Sequence, residues 1–262
     1  MATKFKDIAK GPSDILGDDY TNKISLKCKK SAGPIAVTVE TERGNDGELS
    51  SKIGTKFLYS GFSFDKIQLK ADGGHVIEAS TKPCPGVKVA FKGNKGADLC
   101  VDYTSGALAT TSVFDVKEMS KVSTSACIGL ASGFTVGGDL AYNKTGKAGF
   151  NVGGSYSSGP LFASLSTSSN FSQFNLGLMY KVNGDLTVAS QTTHSSSSAL
   201  DIVGVGATYK APFGNVKAKF NSGGVLSAVL VKEIAPKVTL TASGSVVASD
   251  MSDFKYGLGI VM

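Results

Sequence analysis

The chain has no tryptophan, a single arginine (Arg43), two histidines, and only 18% charged residues. Soluble domains usually carry about 25% charge. No run approaches ~18 consecutive apolar residues, which excludes a transmembrane helix. The lone arginine matters because sequence-reading nucleic-acid binders rely on guanidinium forks. No zinc-finger or recognition-helix spacing accompanies the net charge of +6, so no nucleic acid is expected as a specific partner. The four cysteines, at 28, 84, 100 and 127, form no C-x-x-C and have only His75 and His194 for company, so no metal site is expected. They read as free thiols in a reducing setting, with an oxidising compartment left open. There is no nucleophile elbow or phosphate-binding loop, so neither an enzyme nor a cofactor is expected. The N-terminus has no apolar core of 7–15 residues and is not a secretory signal. Low charge, 32 glycines and no spanning helix leave a soluble all-β protein or a membrane β-barrel.

Residues 1–21 differ from the rest. Phe5, Ile8, Ala9, Ile15 and Leu16 fall at roughly helical spacing, with Lys4, Lys6, Asp7, Lys10 and Asp14 between them. The pattern predicts a short amphipathic helix. Gly11-Pro12 should split it into pieces over about 4–10 and 13–17, since proline lacks an N–H and clashes with the preceding turn. So short a helix is marginal alone in water and must dock its apolar stripe.

From residue 22 to 262 the period becomes two. Ile35, Val37 and Val39 alternate with Thr38 and Glu40; Val87, Val89 and Phe91 alternate with Lys88 and Lys92. The pattern persists to Phe254, Tyr256, Leu258, Ile260 and Met262, set against Lys255, Gly257, Gly259 and Val261. Turn signals such as Gly44-Asn45-Asp46-Gly47, Pro85-Gly86 and Asn183-Gly184 separate the runs, with the longest breaks near 115–120 and 194–198. The count is about 19 strands of roughly 13 residues each with its turn, which suits tilted spanning strands of about 9–11 residues. Tyr59, Tyr103, Tyr142, Tyr156, Tyr180 and Tyr209 close apolar runs, and Phe134 and Phe254 open them, as an interfacial girdle would. The expected fold is therefore all-β: one transmembrane β-barrel over 22–262, preceded by the amphipathic helical segment 1–21. One stretch breaks phase. Phe62 and Phe64 precede Ile67 and Leu69 in the opposite register, which would leave Lys66 in lipid at a cost of about 2–4 kcal/mol. A β-bulge near Asp65 would turn it inward.

Two motifs carry a resemblance. The run Asp7-Ile8-Ala9-Lys10, followed by Asp14-Ile15-Leu16 and Asp18-Asp19-Tyr20, resembles the N-terminal helix of the mitochondrial porins, the voltage-dependent anion channels, especially plant-type members. Gly257-Leu258-Gly259-Ile260 resembles their last strand, and Lys255, Gly257, Ile260 and Met262 fit their membrane-sorting signal. The resemblance implies a voltage-gated, weakly anion-selective pore of the mitochondrial outer membrane, with the N-terminal amphipathic helix in the lumen of the β-barrel, passing ATP, ADP, phosphate and other small metabolites. The chain departs from the family in three places. Ser13 and Asp18 stand where further basic residues are usual, the glycine hinge after the helix is absent, and the lipid-facing acid of animal members is replaced near Lys66.

By alternation, Lys52, Lys56, Lys88, Lys92, Lys121, Lys147, Lys217, Lys219, Lys237 and Lys255 face inward, with Glu40, Glu42, Glu78, Asp98, Asp102, Asp115, Asp139 and Asp185. Apart from Lys147, these lysines, with Lys4 and Lys10 of the helix, are the candidate metabolite contacts. Phe5, Ile8, Ile15 and Leu16 are the candidate docking residues of a gating helix. Membrane lipid is the expected surrounding, and homo-oligomers are left open. Two alternatives are a protein-import pore of the same membrane and a soluble β-rich adhesin or lectin.

Overall fold

A computed structural model describes residues 3–146, 148–196 and 202–262, with backbone alone at 202 and 251–253. Lys147 and part of the 194–198 loop lie outside the described residues. The alternating sequence forms β1 (Ile24–Ala32), β2 (Ile35–Arg43), β3 (Leu49–Tyr59), β4 (Phe62–Lys70), β5 (His75–Cys84), β6 (Val87–Gly93) and β7 (Ala97–Ser105). Next come β8 (Leu108–Asp115), β9 (Lys121–Gly129), β10 (Phe134–Asn143), β11 (Ala148–Ser158), β12 (Leu161–Ser168) and β13 (Gln173–Lys181). The last six are β14 (Leu186–Ser195), β15 (Ile202–Ala211), β16 (Gly214–Asn221), β17 (Val225–Ala235), β18 (Val238–Val247) and β19 (Asp250–Val261).

Consecutive strands pair antiparallel, and β1 pairs with β19 in parallel, closing one 19-stranded sheet. An odd count requires that single parallel seam, since closure then joins two strands running the same way. At the seam Ile24 faces Leu258 and Leu26 faces Ile260; the Met262 N–H donates to the Lys27 carbonyl at 2.9 Å. Closure removes the unpaired edges that an open sheet would present. Nineteen strands at ~4.8 Å spacing and ~40° tilt give a backbone diameter of roughly 38 Å.

Large apolar side chains are exposed on the outward face of most strands: Ile35, Val37 and Val39 on β2, Phe134, Val136 and Leu140 on β10, Tyr256 and Leu258 on β19. Their partners on the inner face are lysine, acid, serine, threonine and glycine. A protein that exposes this many apolar side chains in a continuous band is built for a hydrocarbon surround. Because turns alternate ends, the barrel has two unlike rims. The rim that holds Met262, here the C rim, is made mainly of two-residue connections: Gly33-Pro34, Ser60-Gly61, Pro85-Gly86, Gly106-Ala107, Gly159-Pro160, Pro212-Phe213 and Pro236-Lys237. The opposite N rim, where residue 22 enters β1, carries the longer polar turns, such as 44–48 and 116–120.

The phase break in β4 is a bulge. Phe64 pairs with Ala79 and Lys66 with Glu78, leaving Asp65 as the extra residue. Both Asp65 and Lys66 then line the lumen. Asp65 accepts from Ser63 (2.6 Å) and Ser80 (2.5 Å), and from Lys88 at 3.3 Å. The irregularity thus turns Lys66 from lipid into the bore and leaves the extra residue, Asp65, hydrogen-bonded there.

Two of the expected lumen charges sit elsewhere. Lys237 occupies the turn between β17 and β18 with φ 69°, and its N–H donates to Glu233. Asp185 lies in the turn before β14, with its N–H on the Asn183 side chain. Both were placed by extending strand alternation through a turn, where the backbone reverses and parity has no meaning.

Candidate functional site: the lumen and its N-terminal strap

The N-terminal segment forms a 3-10 turn (Phe5–Asp7) and then a helix, α1 (Lys10–Gly17). The break falls at Ile8–Ala9 and not at the expected Gly11-Pro12. Pro12 is the third residue of α1, inside the first turn, where helix N–H groups have no intrahelical partner and a missing one costs little. Pro12 is instead a packing residue, buried with Ile8 (2% exposed) and Ile15 (7% exposed).

The segment lies in the bore as a strap. At its start Lys4 pairs with Asp102 of β7 at 2.7 Å. The 3-10 turn, with Phe5, rests on β9 and β10. α1 then crosses β13 to β16. It fits because the wall beneath it is small. Inward Ser164, Gly177, Ala189 and Gly206 leave a shallow seat in which Ser164 and Ala189 are buried. A Cβ at Gly177 would come within 3.1 Å of Pro12 Cγ, and one at Gly206 within 2.8 Å of Leu16 Cδ2.

The far end of α1 is held by wall lysines. Lys219 Nζ donates to the Leu16 carbonyl at 2.7 Å and sits 4.0 Å from the centre of the Tyr20 ring. Lys217 Nζ donates to the Asp14 carbonyl at 3.3 Å and to Asp19 Oδ2 at 2.7 Å. The last four carbonyls of a helix have no internal partner and carry the negative end of its dipole. α1 has no basic residue in its last turn, so β16 supplies the cations. Burial, with the Asp19 charge adding to it, pushes the Tyr20 hydroxyl up to about 12, so it stays neutral beside the lysine. Lys217 and Lys219, expected as contacts for passing anions, are occupied in capping the helix. Nothing in their local sequence separates them from other inward lysines; the partner lies about 200 residues away.

The charged residues divide the bore. The strap covers a wall poor in charge, whose inward residues include Ser125, Asn151, Ser166, Asn175 and Gln191, with Asp139 and the helix-holding Lys217 and Lys219 as exceptions. The opposite wall, β1 to β7, is crowded with charge. Glu40 is held by Lys27 and Lys52, each at 3.1 Å, and Lys52 also binds Glu42 at 2.8 Å. Asp65 is held by Lys88. Beside these pairs Lys29, Lys56, Lys66 and Lys70 share a cleft of about 650 Å³ and make no ion pair among the described residues. Lys92 lines the adjoining cleft with Lys4, Lys6, Lys56 and Lys88. Lys10 opens α1 as an exposed side chain, Lys121 stands near the N rim with Asp98 and Asp115, and Lys255 is on the inner parity of β19. Sequence reasoning missed Lys27, Lys29 and Lys70 as wall residues, although their parity with Ser25 and Gln68 marks them as inward. Among the described residues there is no His/Cys/Asp/Glu group that could hold a metal.

In the last strand Gly257 is a contact site. A Cβ there would overlap the Thr21 carbonyl and the Ser243 hydroxyl. Ser243 donates to that carbonyl, so the chain leaving the lumen for β1 is seated on β18 and β19.

A closed sheet with an apolar exterior, a polar interior and a helix laid inside is a transmembrane β-barrel pore. Residues 2–257 match the eukaryotic porin family, and the chain belongs to it. It is 25% identical over 252 residues to mitochondrial outer membrane protein porin 3 of Arabidopsis thaliana, covering 92% of this chain and 90% of that protein. It is 26% identical over 270 residues to mitochondrial outer membrane protein porin 2 of Oryza sativa subsp. japonica, covering 98% and 95%. Among solved structures, a mutant of the Rh. blastica porin superposes with a TM-score of 0.51 at 10% identity, covering 89% of this chain and 94% of that one, which shows the fold. The protein is a diffusion pore of the mitochondrial outer membrane.

Proposed function

We propose that this pore is weakly anion-selective, closes with voltage, and passes ATP, ADP, phosphate and similar metabolite anions. The reading rests on one observation: the strap covers the charge-poor wall and leaves the lysine-rich wall facing the bore. Lys29, Lys56, Lys66, Lys70 and Lys92 make no ion pair among the described residues, although Glu78 stands opposite Lys66 and Lys92 in the register and Asp98 opposite Lys92, while Glu40, Glu42 and Asp65 are already engaged. Charge rings of this kind set the sign of permeation, and a wide bore at physiological salt keeps the preference mild. Lys10, exposed at the start of α1, is with this wall the proposed phosphate contact. Transport needs no chemistry, which agrees with relatives named as porins. Those names also favour a diffusion pore over an import pore. The strap, fixed to a wall by two ends and a few side chains, is the proposed gating element.

Reversal potentials in a KCl gradient across a planar bilayer test the selectivity. Anion preference that vanishes in Lys56→Gln/Lys66→Gln/Lys92→Gln supports it; cation preference in the unsubstituted protein overturns it.

A further inference from the structure

The two mouths of the bore differ in the charge on their inner face. At the C rim Lys29, Lys56, Lys82, Lys181 and Lys210 all have inward parity and lie within three residues of the strand end. Lys29 shares the parity of Lys27, which pairs with Glu40 across the inner face. Lys56 lines the lumen cleft with Lys29. Lys82 stands two residues beyond Ser80, which donates to Asp65 in the bore. Lys181 stands two residues beyond Met179, whose Cε would lie 3.2 Å from a Cβ at Gly11 of the strap. Lys210 shares the parity of Gly206, the seat of Leu16. Three of the five are on β1, β3 and β5 and two on β13 and β15, so they stand on both sides of the opening and form a ring. All are exposed, and none makes an ion pair among the described residues.

The acids at this depth do not balance the ring. Asp65 and Asp102 are paired with Lys88 and Lys4, which leaves Asp185 in a turn and Glu233 at the end of β17. The N mouth is mixed. Glu40 and Glu42 are bound by Lys27 and Lys52, Lys92 stands opposite Glu78 and Asp98 in the register, and Lys121 shares a cleft with Asp98 and Asp115. A ring of one sign at one end makes the pore electrically asymmetric. It acts across a bore of roughly 19 Å radius only when salt is dilute, since the Debye length is ~30 Å at 0.01 M and ~3 Å at 1 M.

We infer that the C mouth is a cationic vestibule that gathers phosphate-bearing anions, so that the pore admits them more readily through the C rim than through the N rim. This rests on the anion-selective reading above and adds a direction to it. Anions driven in through the C mouth draw on a local store of the same ions, and cations arriving from the N side are held back there, so salt accumulates in the bore. Reversing the voltage depletes it. Equal and opposite voltages therefore carry unequal currents, the larger when anions move from the C rim to the N rim.

The test uses the full chain as single channels in a planar bilayer of neutral lipid, in symmetric potassium phosphate, at voltages too small to close the pore. Biotin on Ala107→Cys, in a cysteine-free background, marks the C rim, and streptavidin added to one chamber assigns the orientation of each channel. Currents at opposite voltages should be unequal at about 0.01 M salt and equal at about 1 M. Lys82→Gln/Lys181→Gln/Lys210→Gln should lose most of the inequality. Lys70→Gln/Lys92→Gln/Lys121→Gln should increase it, because the acids of the N mouth are then left alone. Should the first variant fail to insert, Lys181→Gln/Lys210→Gln must still reduce the inequality. Equal currents at low salt, a larger current when anions enter by the N rim, or an inequality untouched by loss of the C-mouth lysines would overturn the inference. Reversal potentials on the same channels separate the two readings: anion preference with equal currents overturns the sidedness alone, and cation preference overturns both.

Discussion

Replacing Lys219 by Met removes an ammonium but keeps a stem of similar length, so the β16 wall loses charge without losing much volume. The Lys219 Nζ bond to the Leu16 carbonyl at 2.7 Å is a charge-assisted one at a helix terminus. Bonds of that kind contribute about 1.5–3 kcal/mol, and the ammonium over the Tyr20 ring about 0.5–1 more. Taking the ammonium from bulk water offsets part of this, leaving about 2 kcal/mol, or roughly a 30-fold change in the equilibrium between docked and released strap. Hydrogen exchange reads such local openings directly. The peptide covering residues 6–20 should exchange about 30-fold faster in Lys219→Met. Strand peptides from β2 and β10 should not change. Lys217→Met, which loses the contacts to the Asp14 carbonyl and Asp19, should act in the same direction. Unchanged exchange over 6–20 in both variants would refute the claim that β16 lysines hold the helix; faster exchange everywhere would mean that the barrel itself had loosened.

Three further outcomes are expected. Gly206→Val places a side chain where Leu16 Cδ2 and the Ala218 carbonyl of the neighbouring strand now rest; exchange over 6–20 should rise, and thermal melting of the barrel in detergent should fall as well. Lys56→Glu/Lys66→Glu changes the charge of the open wall by four units and should move the reversal potential in a KCl gradient to the cation side. Gly257→Val collides with the Thr21 carbonyl at the closing seam and should lower stability in detergent by about 1–3 kcal/mol, the usual cost of overpacking, read as a reduced melting temperature.

Alternation along β2, β6 and β10 was legible because a strand between lipid and water must sort its side chains every second residue. The bulge at Asp65 was legible for the same reason: a phase slip in an otherwise strict pattern has few physical solutions. The break in the strap was misplaced because proline was read as a helix breaker without regard to its position, whereas in the first turn of α1 it is tolerated and Pro12 fills the seat at Gly177. The helix latch could not be read locally. Lys217 and Lys219 have the parity of any wall lysine, and only the closed barrel brings them under residues 14–19. The division of the lumen into charged and charge-poor walls was present in the inward positions of β1 to β7 against those of β9 to β14. It acquires meaning only once the strap is known to lie on the second. Lys237 and Asp185 show the limit of parity, which ends where a strand turns.

Diffusion through this barrel depends on which face of its sheet meets water. In a cysteine-free background, single cysteines along β6 decide this in liposomes with a charged, membrane-impermeant thiol reagent. Lys88→Cys, Ala90→Cys and Lys92→Cys should react rapidly, and Val87→Cys, Val89→Cys and Phe91→Cys should stay unlabelled. Equal labelling of both sets, or labelling of the odd-numbered set alone, would contradict a water-filled bore enclosed by a lipid-facing wall.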